Sequence, residues 1–93
     1  MKTILLADDN KRICTLVRSL FYKFRIYEVK DGEEAIGKVF EIQPDPIILD
    51  LMMHHINGLK AASKLRQMKV KVPIILLQGT PARFLQMNCH LKL

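Results

Sequence analysis

The chain has no acidic side chain beyond Asp50. All nine Asp and Glu residues lie in positions 1–50, beside eight of the fifteen Lys and Arg. The other seven bases, Lys60, Lys64, Arg66, Lys69, Lys71, Arg83 and Lys92, follow without a single acid. A one-sided basic excess can mark a polyanion-binding face. Here it comes with no aromatic platform, zinc-ligand spacing or helix-turn-helix signature. Nucleic acid is therefore disfavoured as a partner, and a solvated basic helix face is the simpler reading. No stretch approaches eighteen consecutive apolar residues, which excludes a transmembrane helix of ordinary length. The opening apolar run ends at Asp8-Asp9 and is too short for the core of a secretory signal, so a cytoplasmic protein is expected. The only cysteines, Cys14 and Cys89, lack CxxC spacing and read as reduced, structural thiols. Internal repeats, low-complexity tracts and linkers are absent too, and 93 residues leave room for one domain.

What remains is an alternation of short apolar runs with amphipathic stretches. Residues 3–7 read as a buried strand. Asn10 is placed to cap a helix over 11–24, with Ile13, Leu16, Val17, Leu20 and Phe24 along one stripe of a 3.6-residue period. A weak strand at 26–29, a turn at Asp31-Gly32 and a helix over 33–42 follow, the helix turning Ala35, Ile36, Val39 and Phe40 inward. Pro44-Asp45-Pro46 stops that helix. Residues 47–51 form the strongest strand signal, followed by a helix over 59–68, a strand over 72–77 and a Thr80-Pro81 helix start. Uniformly apolar strands separated by single helices predict a parallel α/β sheet covered on both faces.

In such a sheet the chemistry gathers at the carboxyl ends of the strands. Asp8 and Asp9 follow the first strand and Asp50 ends the third. If those strands are neighbours, three carboxylates converge. Their mutual repulsion is relieved by a divalent cation with oxygen ligands, and Mg²⁺ suits a site of few carboxylates, a carbonyl and retained waters. A remaining carboxylate oxygen can then act as nucleophile toward a phosphoryl donor. A phosphohydrolase with a nucleophilic aspartate would need an acid two residues further on. That position is Met52, which argues against a turnover enzyme.

The segments Ile4-Leu5-Leu6-Ala7-Asp8-Asp9-Asn10, Asp31-Gly32-Glu33-Glu34-Ala35, Ile47-Ile48-Leu49-Asp50-Leu51-Met52-Met53, Asn57-Gly58 and Val72-Pro73-Ile74-Ile75 occur in this order over about 80 residues. Together they resemble the receiver domain of bacterial two-component response regulators. The resemblance implies a flavodoxin-like open parallel sheet with Asp50 as phosphoacceptor. It also implies an Mg²⁺ site of Asp8, Asp9, Asp50 and the main-chain carbonyl of Met52, with Asp8 acting through a metal-bound water. The partner it implies is a sensor histidine kinase or phosphotransfer protein.

Departures from the family pattern fall mostly after Asp50. Gln78 stands where receivers carry a Thr or Ser that turns toward the phosphoryl oxygen, and a longer amide cannot copy that motion. His54 replaces the usual proline and His55 follows it, an adjacent pair read as polar loop. No apolar run precedes Lys92, so the family's fifth-strand lysine role is not assigned to it. The fifth strand and fifth helix are expected to be missing. That division gives a receiver-like core over 1–77 and a divergent segment over 78–93, read as a possible fourth helix. It would leave the fourth strand as an apolar edge open to self-association. Weakened switch residues also suggest an alternative, a degenerate receiver acting as a phosphorylation-independent interaction or dimerisation module.

Overall fold

A computed structural model describes residues 1–51 and 58–77. Met52, the His54-His55 pair, Gln78, Cys89, Lys92 and the expected helix after Thr80 lie outside the described residues. Among the described residues four strands and three helices alternate: β1 (Thr3–Ala7), α1 (Lys11–Leu20), β2 (Arg25–Val29), α2 (Gly32–Ile42), β3 (Ile47–Asp50), α3 (Gly58–Gln67) and β4 (Ile74–Leu77). The strands form one parallel sheet in the order β2-β1-β3-β4. This is the doubly wound arrangement expected of apolar strands joined by single helices.

The pleat divides the core in two. Leu5, Ala7, Ile47, Leu49, Ile74 and Leu76 face α2 and α3, meeting Ala35, Val39, Ala61, Ala62 and Leu65. Ile4, Leu6, Ile48 and Leu77 face the other way, onto Ile13, Cys14 and Val17 of α1. Both faces of β1 and β3 are covered, and their side chains from Ile4 to Ala7 and from Ile47 to Leu49 are buried. Hence these strands read as continuous apolar runs rather than as alternating ones.

Local chemistry sets the element ends. The Asn10 side chain caps α1 by accepting from Arg12 N. Asp31 caps α2: its Oδ1 accepts from Glu34 N at 2.8 Å, while Glu34 Oε1 accepts from Lys30 N at 2.9 Å. The pair is a capping box displaced by one residue: it satisfies one first-turn donor, Glu34 N, and the N–H of Lys30 just before the cap. Asp31→Ala is expected to lower stability by about 1 kcal/mol, read as a shifted urea midpoint with an unchanged m-value. After α3, Arg66 Nη1 donates to the carbonyls of Val70 and Val72 at 2.6 and 2.9 Å and fixes the turn into β4.

Three expectations are corrected. Helix α1 ends at Leu20 rather than at Phe24. Phe21 leaves helical geometry at φ −117°, and Phe24 N closes a turn onto Phe21 O. The two rings meet edge to face with centroids 5.6 Å apart, so Phe24 packs through the turn and not along a helix stripe. Leu20 and Phe40, both expected inward, are 49% and 63% exposed. Strand β4 begins at Ile74 rather than at residue 72. Pro73 has no N–H to donate and enters the ladder only through its carbonyl, which accepts from Ile47 N.

Candidate functional site: a carboxylate cluster at the carboxyl edge of the sheet

Strands β1 and β3 are parallel neighbours, with Ala7 paired to Leu49. The residues after that pair, Asp8 and Asp50, therefore leave the sheet at the same level. Asp50 is held in register against β4. It pairs with Leu77 of β4, and Leu51 N donates to Leu77 O at 3.0 Å. Asp8 N continues the other ladder by donating to Val29 O at 3.1 Å.

Asp8 then folds back locally. Its Oδ1 accepts from Asn10 N at 2.8 Å, an Asx turn that aims the carboxyl group toward the sheet edge instead of outward. Asp8 and Asp50 are buried and Asp9 is exposed. One carboxylate oxygen from each of the three lies within 4.8 Å of the others. The structure thus brings together the three aspartates singled out by strand-end logic. The other two positions, Met52 and Gln78, lie outside the described residues.

Asp8 has the least comfortable environment of the three. Its Oδ2 is buried and has no hydrogen-bond donor. Burial pushes its pKa from 3.8 up to about 7, the Asn10 N–H works against this, and the nearby Asp50 and Asp9 charges add to the rise. Two buried carboxylates this close repel unless they share a proton or a cation. A buried acceptor with a free lone pair beside a second and a third carboxylate is the donor set a hard cation takes, so the residues fit Mg²⁺.

Two neighbours shape the site without belonging to the carboxylate set. Gly58 opens α3 directly against the end of β3. A Cβ there would lie 2.4 Å from the Asp50 carbonyl oxygen and 2.8 Å from its carbon. Cys14 points its thiol at the Asp8 carbonyl oxygen at 3.6 Å, and burial raises the thiol pKa to about 11. It is a structural donor and not a nucleophile. The sequence marked Cys14 as a reduced, structural thiol, which it is, but not its contact with Asp8, and it did not show the seat of Gly58. The Asn57-Gly58 pair marks a helix start but not a close approach to a strand backbone, and Cys14, outside the predicted stripe of α1, packs beside Ile13 and Val17.

Comparison with known proteins agrees with this arrangement. The family model for the response regulator receiver domain matches residues 4–89. The transcriptional regulatory protein PhoP for alkaline phosphatase synthesis, from Bacillus subtilis, is 34% identical over 85 residues. That match takes in 89% of this chain and 35% of PhoP, and ResD of the same organism is covered to 31%, so the chain spans about a third of the length of such regulators. Among solved structures, the response regulator TrrA of Thermotoga maritima in complex with Mg²⁺ and BeF superposes with a TM-score of 0.78 at 36% identity. The alignment covers 88% of this chain and 73% of that one. TrrA bound to the histidine kinase ThkA aligns with a TM-score of 0.75 at 37% identity, over 85% of this chain and 70% of that one. The parallel sheet order, the aspartates at its carboxyl edge and the family match over nearly the whole chain place it among the response regulator receiver domains.

Proposed function

We propose that the chain is a phosphoacceptor module of two-component signalling, a switch rather than a turnover enzyme. Asp50 takes a phosphoryl group from the phosphohistidine of a sensor histidine kinase or a phosphotransfer protein. The observation that supports this best is the convergence of Asp8, Asp9 and Asp50 with the Asp8 Oδ2 buried and lacking a donor. An Asp50 carboxylate oxygen attacks phosphorus, a P–O bond forms, and the P–N bond of the donor breaks. The imidazole leaves with the electron pair and takes up a proton. Asp8, Asp9, Asp50 and the Met52 carbonyl would hold Mg²⁺, which supplies positive charge against the transferring phosphoryl oxygens.

The chain's own residues do the positioning. Pairing to β4 on one side and the close seat of Gly58 on the other fix the Asp50 backbone, so its side chain starts from one place. The Asn10 N–H holds one oxygen of Asp8 and leaves the other for the cation.

Phosphoramidate, whose P–N bond resembles that of phosphohistidine, provides the test. With Mg²⁺, wild-type protein is expected to show an acyl-phosphate signal in phosphorus NMR that hydroxylamine removes. Asp50→Ala is expected to show none. A signal that survives hydroxylamine would place the phosphoryl group elsewhere, and no signal in the wild type would leave only a phosphorylation-independent interaction module.

A further inference from the structure

We propose that the solvent face shared by α2 and α3 is self-complementary and docks a second copy of this chain, helix layer against helix layer. The inference does not depend on phosphorylation. Both helices cover the same side of the sheet, and each returns from the carboxyl edge to the amino edge, so they run side by side in one direction.

Along the outside of α2, Glu33, Gly37 and Glu41 recur every four residues on one line, all exposed. Gly37 has no packing reason within the chain, since a Cβ built there meets nothing within 4 Å. A glycine at an exposed helix interior weakens the helix relative to alanine. What a missing side chain permits is close approach of another surface to the helix backbone.

Beside that line stands Phe40, 63% exposed. With Val39, Pro44, Val70 and Val72 it lines an apolar groove of about 200 Å³, with Lys71 among the lining residues. A bare phenylalanine next to an apolar groove is the anchor-and-pocket pairing of protein interfaces.

Charge selects the occupant. The α2 side of the face carries Glu33 and Glu41, and Glu41 lies 4.0 Å from Lys38, an exposed pair of little weight. The α3 side and the turn beyond it expose Lys60, Lys64 and Lys71 and no acid. An acidic partner would suit α3 and repel α2, and a basic one the reverse. A two-fold axis parallel to the helices sets α2 of each copy on α3 of the other and satisfies both sides at once, as an isologous interface requires. The same axis brings each Phe40 to the groove of the other copy.

Sedimentation velocity over a concentration series, without Mg²⁺ or phosphodonor, tests this. A reversible dimer is expected for the wild type. Glu41→Lys and Lys64→Glu are each expected to weaken it by about tenfold or more, while an equimolar mixture of the two recovers a heterodimer. Gly37→Gln is expected to raise the melting temperature of the dilute protein while lowering the dimer fraction. A monomer throughout, or a dimer indifferent to these changes, would overturn the proposal; the second result would move association to another surface such as β4. Thermal melts confirm that each exposed-site variant is folded. Phosphorylation of Asp50 is measured separately and is unaffected by either result.

Discussion

Asp8→Asn is expected to raise the stability of the metal-free protein at pH 7 and to remove its response to Mg²⁺. In the folded chain Asp8 titrates near 7 and in the unfolded chain near 3.8, because burial and the neighbouring aspartates disfavour its charge. Below the lower value both states hold the proton and no stability difference arises. As pH rises toward 7, the unfolded state releases its proton first, so the folded state loses stability, and above 7 the loss is complete. The full linkage for such a shift is on the order of 4 kcal/mol. Asparagine keeps an oxygen for the Asn10 N–H and replaces a repelling charge with an amide that can donate toward Asp50. The variant is therefore expected to melt higher than wild type at pH 7 and to show a flatter stability profile between pH 4 and 7. In wild type, Mg²⁺ restores what repulsion removes, and the melting temperature climbs with its concentration. In the variant that climb is expected to flatten. A variant less stable than wild type at pH 7 without metal would contradict the repulsion account.

Gly58→Ala is expected to be strongly destabilising. The added carbon would sit 2.4 Å from the Asp50 carbonyl oxygen, 2.8 Å from its carbon and 3.1 Å from the Leu51 Cα, all of them backbone. No side chain can swing aside to relieve that overlap. Either α3 lifts from the sheet or the end of β3 moves, and each disturbs the buried layer of Ala61, Ala62 and Leu65. A loss of about 2–4 kcal/mol is expected, together with weaker Mg²⁺ binding, because the displaced strand end carries Asp50. Gly37→Ala is the control. Its new methyl meets open space and is expected to add about 0.5–1 kcal/mol to the monomer. Chemical denaturation of both variants at low protein concentration separates the two glycines. Equal effects would remove the argument for a close helix–strand approach at Gly58.

Much of the site was legible because it follows from strand logic. Apolar runs at residues 3–7 and 47–51, the second apolar but for Asp50 near its end, signalled a parallel sheet. Carboxylates at the ends of two such runs can converge only if those strands are neighbours, and β1 and β3 are. Periodicity was less informative where helices meet the margin of the core. Phe40 follows Val39 by 100° around α2 and falls just outside the arc that Ala35 and Val39 bury. Phe24 fits the stripe of α1 equally well, yet Phe21 offers it a ring to pack against in a turn. No sequence pattern distinguishes these outcomes, because tertiary neighbours decide them. The orphaned oxygen of Asp8 and the seat of Gly58 on Asp50 are of the same kind, set by how loops return to the sheet edge.

The central claim is that Asp50 accepts a phosphoryl group within a carboxylate cluster that needs a cation. Intact-mass measurement after incubation with Mg²⁺ and a small acyl phosphate tests it most directly, with Asp50→Ala and a chelator-treated sample alongside. The account predicts one added phosphoryl group on the wild type, and none on the variant or without metal. An adduct that persists in Asp50→Ala, or a wild type that stays unmodified while folded and loaded with Mg²⁺, would contradict it.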